Sequence, residues 1–404
     1  MRVLALGNMY PPHLLGGYEV ICQGALRHAR ARGHEARVLT TGFRRRDVPP
    51  GAPEDPDVHR ELDWYWREHE WRRLGPRATL ALERANAAVF DRHLAEFAPD
   101  VIAWWSMGGM SLGLIERARR RGLPAVFFLL DYWLSYGRER DRWHRAGRRL
   151  GPLSPLLGRL TGLPARVRWG DAGRWVFCSE TMRRNTLALG LGIPDGPVLT
   201  PGVEEALARG EREDQPPDWR WRLLYLGRVV PGKGVHTAVE ALARLPARAR
   251  LEVVGEGDAA YRRRLERRAR ELGVAERVTF LPARPREQLA DVYRRADAVL
   301  FPVVWPEPWG LVPLEAMAVG RPVIATGRGG SGDYLRGGEN SLLFPAEDPA
   351  ALAAAVSALA DDPELRARLR RGGYETAARH REGAFNQAAL AELESAAGDQ
   401  PRSR

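Results

Sequence analysis

Short apolar runs alternate with helix-period stretches along this chain, and they do so in two successive series. The first opens with Val3 to Leu6, a loop from Gly7 to Gly17, a helix pattern from about Tyr18 to Arg32, and a second run near Arg37 to Thr40. Strand, helix and strand in that order make a βαβ unit, and its crossover requires a parallel sheet. Runs at Val101 to Trp104, Ala125 to Leu130 and Trp175 to Cys178 extend that sheet. The second series holds Arg222 to Leu226, Leu251 to Val254, Arg277 to Leu281, Ala298 to Phe301, Pro322 to Ala325 and Ser341 to Phe344. Between the two lies Glu204 to Asp218, a charged and proline-containing stretch with the character of a linker. Helices are expected at Pro349 to Ala360 and Pro363 to Arg379, and a last one near Phe385 to Glu394.

The expected fold class is therefore α/β, with two Rossmann-like parallel-sheet domains. Their bounds are read as 1–203 and 219–382, joined by a linker at 204–218 and followed by a C-terminal helix at 383–397 that returns to the first domain. Residues 398–404 read as a flexible tail. The length of 404 residues suits two domains, at a prior of roughly 150 residues each. Two regions resist the scheme: Glu61 to Arg73 and Arg138 to Arg168 combine tryptophan with many arginines. They suit either an amphipathic surface for an anionic bilayer or, more simply, an excursion packed by its tryptophans with arginine facing water.

A net charge of +11 raises the question of nucleic acid. No nucleic-acid reader motif is present, and among the 62 basic residues only Lys233 is a lysine. The charge is a chain-wide arginine bias, such as a GC-rich bacterial genome imposes, so nucleic-acid binding is not expected. The bias also singles out Lys233. Either it survives by chance on a solvated turn, or it fills a tight site where a compact ammonium fits and a planar guanidinium does not. The two cysteines, Cys22 and Cys178, sit in unrelated elements, and no disulfide framework or zinc site is expected from them. The opening MRVLALGNMYPP runs straight into a strand and lacks the marks of a leader, and no apolar run approaches the ~20 residues that cross a bilayer.

In open α/β sheets ligands bind beyond the carboxyl ends of the strands. There, Gly16 and Gly17 precede a helix, where free amides and the helix dipole suit an anion. Arg228 and Lys233 flank the turn after Arg222 to Leu226, as two cations able to hold a diphosphate or as an ordinary basic turn. Glu307 lies in a Pro- and Gly-rich loop, and Glu315 eight positions later in a helix begun near Pro313. A carboxylate accepts two adjacent sugar hydroxyls well, although a solvated loop and a dipole-compensating helix start would also explain them.

The segment FPVVWPEPWGLVPLEAMAVGRPVIA resembles the E-x7-E signature of a large group of retaining nucleotide-sugar glycosyltransferases, which includes bacterial phosphatidylinositol mannosyltransferases and sucrose synthase. GRVVPGKGVHTAVEAL, LEVVGEGD, RVTFLPA, GRGGSGDYL and GENSLLFP follow that family's order, so the resemblance covers nearly all of the second domain. PPHLLGGYE, VFCSETMRRNTLALG and VLTPGVE carry it more loosely into the first. The resemblance implies the glycosyltransferase B fold, with two domains facing a central cleft, and transfer of a sugar with retention from a nucleotide-diphosphate donor to a hydroxyl acceptor. It implies that Arg228 and Lys233 grip the diphosphate, Glu315 the ribose and Glu307 the sugar. Gly310 and Leu311 would lie against sugar and diphosphate, with Gly16 and Gly17 reaching the phosphates. It further implies no permanently bound cofactor and no metal.

One position departs from the family: Leu130 stands where many relatives carry a His, while Asp131 is retained, either to orient a hydroxyl or to cap the following turn. Asp333 stands near the family's late acidic position. A degenerate nucleotide-sugar-binding partner subunit and a sugar-nucleotide epimerase of the same fold are the alternatives. The resemblance also implies a place in the bacterial cytoplasm, either free or peripheral at the inner face of the membrane, in cell-envelope glycan synthesis on a glycan or lipid-linked acceptor.

Overall fold

The computed structural model of the chain describes residues 1–45, 48, 53–67, 70–208 and 219–399. It divides into two compact units, Met1–Leu199 with Phe385–Arg404, and Thr200–Ala384. The chain thus passes between units at Leu199, and the greater part of the expected linker, residues 209–218, falls outside the described residues, as does the end of the expected tail.

Each unit is built on a six-stranded parallel sheet. In the first, the strands run in the order Val58–Leu62, Glu35–Thr41, Arg2–Gly7, Val101–Trp104, Ala125–Leu129, Arg174–Phe177. In the second the order is Val278–Leu281, Arg250–Val254, Arg222–Leu226, Ala298–Phe301, Val323–Ala325, Leu342–Leu343. Numbered within its own unit, each sheet reads 3-2-1-4-5-6, the doubly wound arrangement in which the crevice opens where the order reverses, between first and fourth strands.

The central strands are continuous apolar runs because helices cover both faces of a parallel sheet. Val3 to Leu6 and Val101 to Trp104 are fully buried. Register then decides which side chains meet: Trp104 pairs with Phe127 and Phe127 with Trp175 on adjacent strands, so their rings fall on one face. Phe127 and Trp175 stack with centroids 4.1 Å apart, a contact worth about 1 kcal/mol beyond its buried area.

Val58–Leu62 is a strand that periodicity missed, since VHREL has apolar residues only at its ends. It is an edge strand with one neighbour, where polar side chains cost little and discourage further pairing. The stretch after it, read from sequence as an unusual excursion, buries Trp64 and Tyr65 and pairs Trp66 with Trp71 in a short antiparallel ribbon. The last helix, Glu382–Gly398, is tied within the first unit by Arg174 to Glu392 at 3.2 Å and to Asp399 at 3.0 Å.

Candidate functional site

The second unit brings the turn after its first strand against the segment after its fourth. Pro231–Lys233 form one 3-10 turn and Val235–Leu242 a helix. The carbonyl of Gly232 accepts the amide of Val304 at 2.9 Å and that of Trp305 at 3.3 Å. Between turn and helix sits Gly234 at φ +70°, where an added Cβ would lie 1.8 Å from the Pro302 carbonyl oxygen. Only glycine allows this approach, and the approach is what sets Lys233 over the glutamate loop.

Lys233 donates from Nζ to Glu307 Oε2 at 2.7 Å, and the indole N–H of Trp305 donates to the same oxygen at 2.7 Å. Both charged side chains are nearly buried, at 14% and 11% exposure. Burial holds the Lys233 ammonium below the ordinary lysine range, against the opposing pull of Glu307. The ammonium lies 5.4 Å from the Trp305 ring centroid and the exposed Arg228 guanidinium 5.8 Å from it, so one indole gathers both cations.

Glu307 is fixed from behind. Its carbonyl accepts the Gly330 amide at 2.6 Å, and at Gly329, φ +72°, a Cβ would stand 2.3 Å from that carbonyl oxygen. The late glycine turn thus braces the Glu307 loop through backbone, while Asp333 lies further along the same turn, Gly330–Asp333. Gly310 precedes the helix Leu311–Ala318, so the Leu311 amide is among the donors left open at that helix start. Glu315 points from this helix into the unit at 3% exposure. Its Oε1 accepts from Arg286 at 3.1 Å and its Oε2 from the Tyr293 hydroxyl at 2.7 Å. An ionised carboxylate has about four lone-pair positions, so both oxygens keep capacity for a pair of vicinal hydroxyls.

Arg228, Lys233 and Glu307 therefore form one cluster, with Gly310, Leu311 and Glu315 on the helix that follows. Trp305, Arg286 and Tyr293 were not foreseen. Arg286 was legible, because it follows the strand Val278–Leu281 at the carboxyl edge where ligands gather. Trp305 and Tyr293 carried no such signal; an indole and a phenol in apolar text read as core.

Sequence models of two families match the chain: "Glycosyl transferases group 1" over residues 211–376 and "Glycosyltransferase Family 4" over residues 15–205. The chain belongs to the group 1 glycosyltransferases. A D-inositol 3-phosphate glycosyltransferase of Corynebacterium efficiens is 37% identical over 45% of this chain, a match spanning 44% of that protein's own length. A glycogen synthase of Mycobacterium tuberculosis is 28% identical over 93% of this chain and 90% of its own. The solved structure of HepE from Anabaena, in complex with UDP-glucose, superposes at TM-score 0.68 and 20% identity, covering 98% of this chain and 100% of that one, and shares the glycosyltransferase B fold.

The remaining expected residues of this glycosyltransferase lie in its first unit. Gly16 caps the helix Gly17–Ala31, and its amide already donates to Glu19 Oε2 at 3.1 Å. Any anion there shares that helix start with a carboxylate, while Gly17 is exposed. Asp131 accepts the Trp133 amide at 2.9 Å and the Tyr136 hydroxyl at 3.0 Å. It starts the turn as a cap would, and it also lines a cavity of about 280 Å³ with Tyr132, Ser135 and Asn185. Leu130, at the family's His position, is buried. Cys22 and Cys178 are both buried and are not joined in a disulfide. No described helix is long and apolar enough to cross a membrane.

Proposed function

We propose that this chain is a retaining glycosyltransferase that moves a sugar from a nucleotide-diphosphate donor to a hydroxyl of an anionic glycan or lipid-linked acceptor without a metal ion. The observation that carries this reading is the Lys233–Glu307–Trp305 cluster with Arg228 beside it. Two cations fixed on one indole offer a diphosphate counter-charge that needs no reorganisation as the leaving group departs, the task a divalent ion performs elsewhere. Glu315, with lone pairs to spare on both oxygens, suits ribose hydroxyls, and Glu307 suits the transferred sugar. Gly310 and the Leu311 amide at the helix start suit the diphosphate. Asp131 suits an acceptor hydroxyl. Retention is supported by the E-x7-E spacing: the anomeric C–O bond to the diphosphate breaks, the acceptor oxygen bonds on the same face, and its proton leaves to the departing phosphate oxygen.

An anionic acceptor is supported by a cavity of about 450 Å³ in the first unit, lined by Arg138, Arg148, Arg166 and Arg168 with His144 and Trp169. Beside it in sequence, Leu150, Leu153, Leu156 and Leu160 are exposed at 41%, 63%, 56% and 76%. Packing by tryptophan accounts for the buried Trp143 of this region and its neighbours Trp133 and Trp169 but not for these leucines, whereas a cytoplasmic protein that rests peripherally on an anionic membrane during envelope-glycan synthesis accounts for the leucines and the arginines together.

The test is calorimetric titration of UDP, GDP, ADP and TDP sugars into the metal-free chain, with Lys233→Ala and Glu315→Ala as controls. One donor bound with micromolar affinity and lost in both variants is expected. Absence of binding until a divalent cation is added would sink the metal-free reading, and equal binding by both variants would sink the site.

A further inference from the structure

At the far edge of the first unit's sheet, three side chains that the transferase reading leaves unused converge. His59 and Glu61 lie on the strand Val58–Leu62, where Glu61 is the extra residue of a bulge against Glu35–Thr41, and their side chains meet on one side of it. The helix Pro76–Phe97 lies over that face and contributes His93. One ligand atom from each, His59, Glu61 and His93, falls within 4.8 Å of the others. Glu61 Oε1 is 3.4 Å from His59 Nδ1 and 3.4 Å from His93 Nε2. Tetrahedral zinc with bonds of about 2.0–2.1 Å separates its ligand atoms by about 3.3–3.4 Å.

His93 supplies a second, independent observation. It is 1% exposed, and its Nε2 has no hydrogen-bond partner although Glu61 Oε1 is near, because the geometry does not align them. A buried ring nitrogen in that state costs free energy unless something between the two groups satisfies it. Arg92 pairs with Glu61 through the other oxygen, Oε2, which leaves Oε1 turned to the histidines. Arg37 faces His93 Nδ1 at 3.3 Å; a metal on Nε2 puts the proton on Nδ1, so Arg37 must turn to Glu96, 3.7 Å away.

We propose that His59, Glu61 and His93 form a binding site for one divalent transition-metal ion, Zn²⁺ by its two imidazoles and one carboxylate, with a fourth position open to water. The ion staples a polar edge strand to the helix that covers it, and it stands apart from the donor chemistry, so the two readings fail separately. The test uses the full chain, freed of any histidine tag and stripped of metal, titrated with Zn²⁺ and with Co²⁺. Expected are one ion per chain by metal analysis after dialysis, a melting temperature raised by about 4 °C, and the visible absorption of four-coordinate Co²⁺. His59→Ala, at a partly exposed position, and Glu61→Gln are each expected to weaken Zn²⁺ binding at least about tenfold and to remove the cobalt band while leaving the metal-free melting temperature near that of the parent. No saturable binding, or stoichiometric binding unchanged in both variants, would overturn the site.

Discussion

Replacing Lys233 by alanine is the perturbation whose size the structure fixes best. Two unit charges about 4 Å apart attract by about 4 kcal/mol at the effective dielectric of a partly buried site, and the ammonium is nearly enclosed. Its loss withdraws that attraction from a bound diphosphate and leaves Glu307, held only by the Trp305 indole, as an uncompensated negative charge facing the anion. Allowing for water that enters the vacated space, about 3 kcal/mol of transition-state stabilisation is lost, so kcat/KM falls by about 10²–10³. Folding suffers less, by about 2 kcal/mol, because the pair is not fully buried and the indole N–H remains. Lys233→Arg separates charge from shape. It keeps the cation but places a planar fork where Trp305 and Phe301 rings stand 5.4 and 5.8 Å from the ammonium, so kcat/KM is expected to fall at least about tenfold. The assay is initial-rate kinetics with the donor found by titration, together with calorimetric melting of each variant. A fully active Lys233→Arg protein would refute the argument that this chain keeps one lysine for its compact charge.

Three further outcomes follow from other parts of the molecule. Gly234→Ala is expected to cost about 3 kcal/mol of stability and to abolish donor binding, since it combines a left-handed backbone with a Cβ 1.8 Å from the Pro302 oxygen; normal melting would refute the packing argument. Burial and the nearby Asp141 push the Glu83 carboxyl, which accepts from the Tyr65 hydroxyl at 2.6 Å, up to about 8. This carboxyl thus holds a proton in the folded but not the unfolded state between pH about 4.5 and about 8, and its contribution to stability falls across that window by at most about 1.4 kcal/mol per unit. Glu83→Gln should flatten the slope in denaturation series at pH 5.5 to 8, and an unchanged slope would exclude Glu83 as its source. Leu156→Asp with Leu160→Asp is expected to lower binding to phosphatidylglycerol vesicles at least about tenfold while leaving melting unchanged, as each exposed leucine can bury roughly 2 kcal/mol of apolar surface; undiminished sedimentation with vesicles would remove the membrane contact.

Much of the fold was legible because each central strand of a parallel sheet is apolar on both faces. Val101–Trp104, Arg222–Leu226 and Ala298–Phe301 have the bounds read from sequence. Val58–Leu62 was not legible, since its polar residues are covered only through contacts with distant parts of the chain, such as Arg60 with the Tyr10 carbonyl and His59 with His93, and the strand is defined by pairing with Glu35–Thr41. In the site, spacing singled out Glu307 and Glu315, and composition singled out Lys233.

Amino-acid order by itself determined the two βα series, the carboxyl-edge loops that carry Arg228, Lys233, Glu307 and Glu315, and the arginine bias that makes one ammonium conspicuous. These are local properties, set by periodicity and turn chemistry within a few residues. Tertiary structure alone decided that Trp305 gathers both cations, that Arg286 and Tyr293 hold Glu315, that Glu19 takes the Gly16 amide, and that His93 meets His59 and Glu61 across 34 residues of chain. Such contacts join positions far apart in sequence, and only sheet register and helix packing bring their side chains within bonding distance.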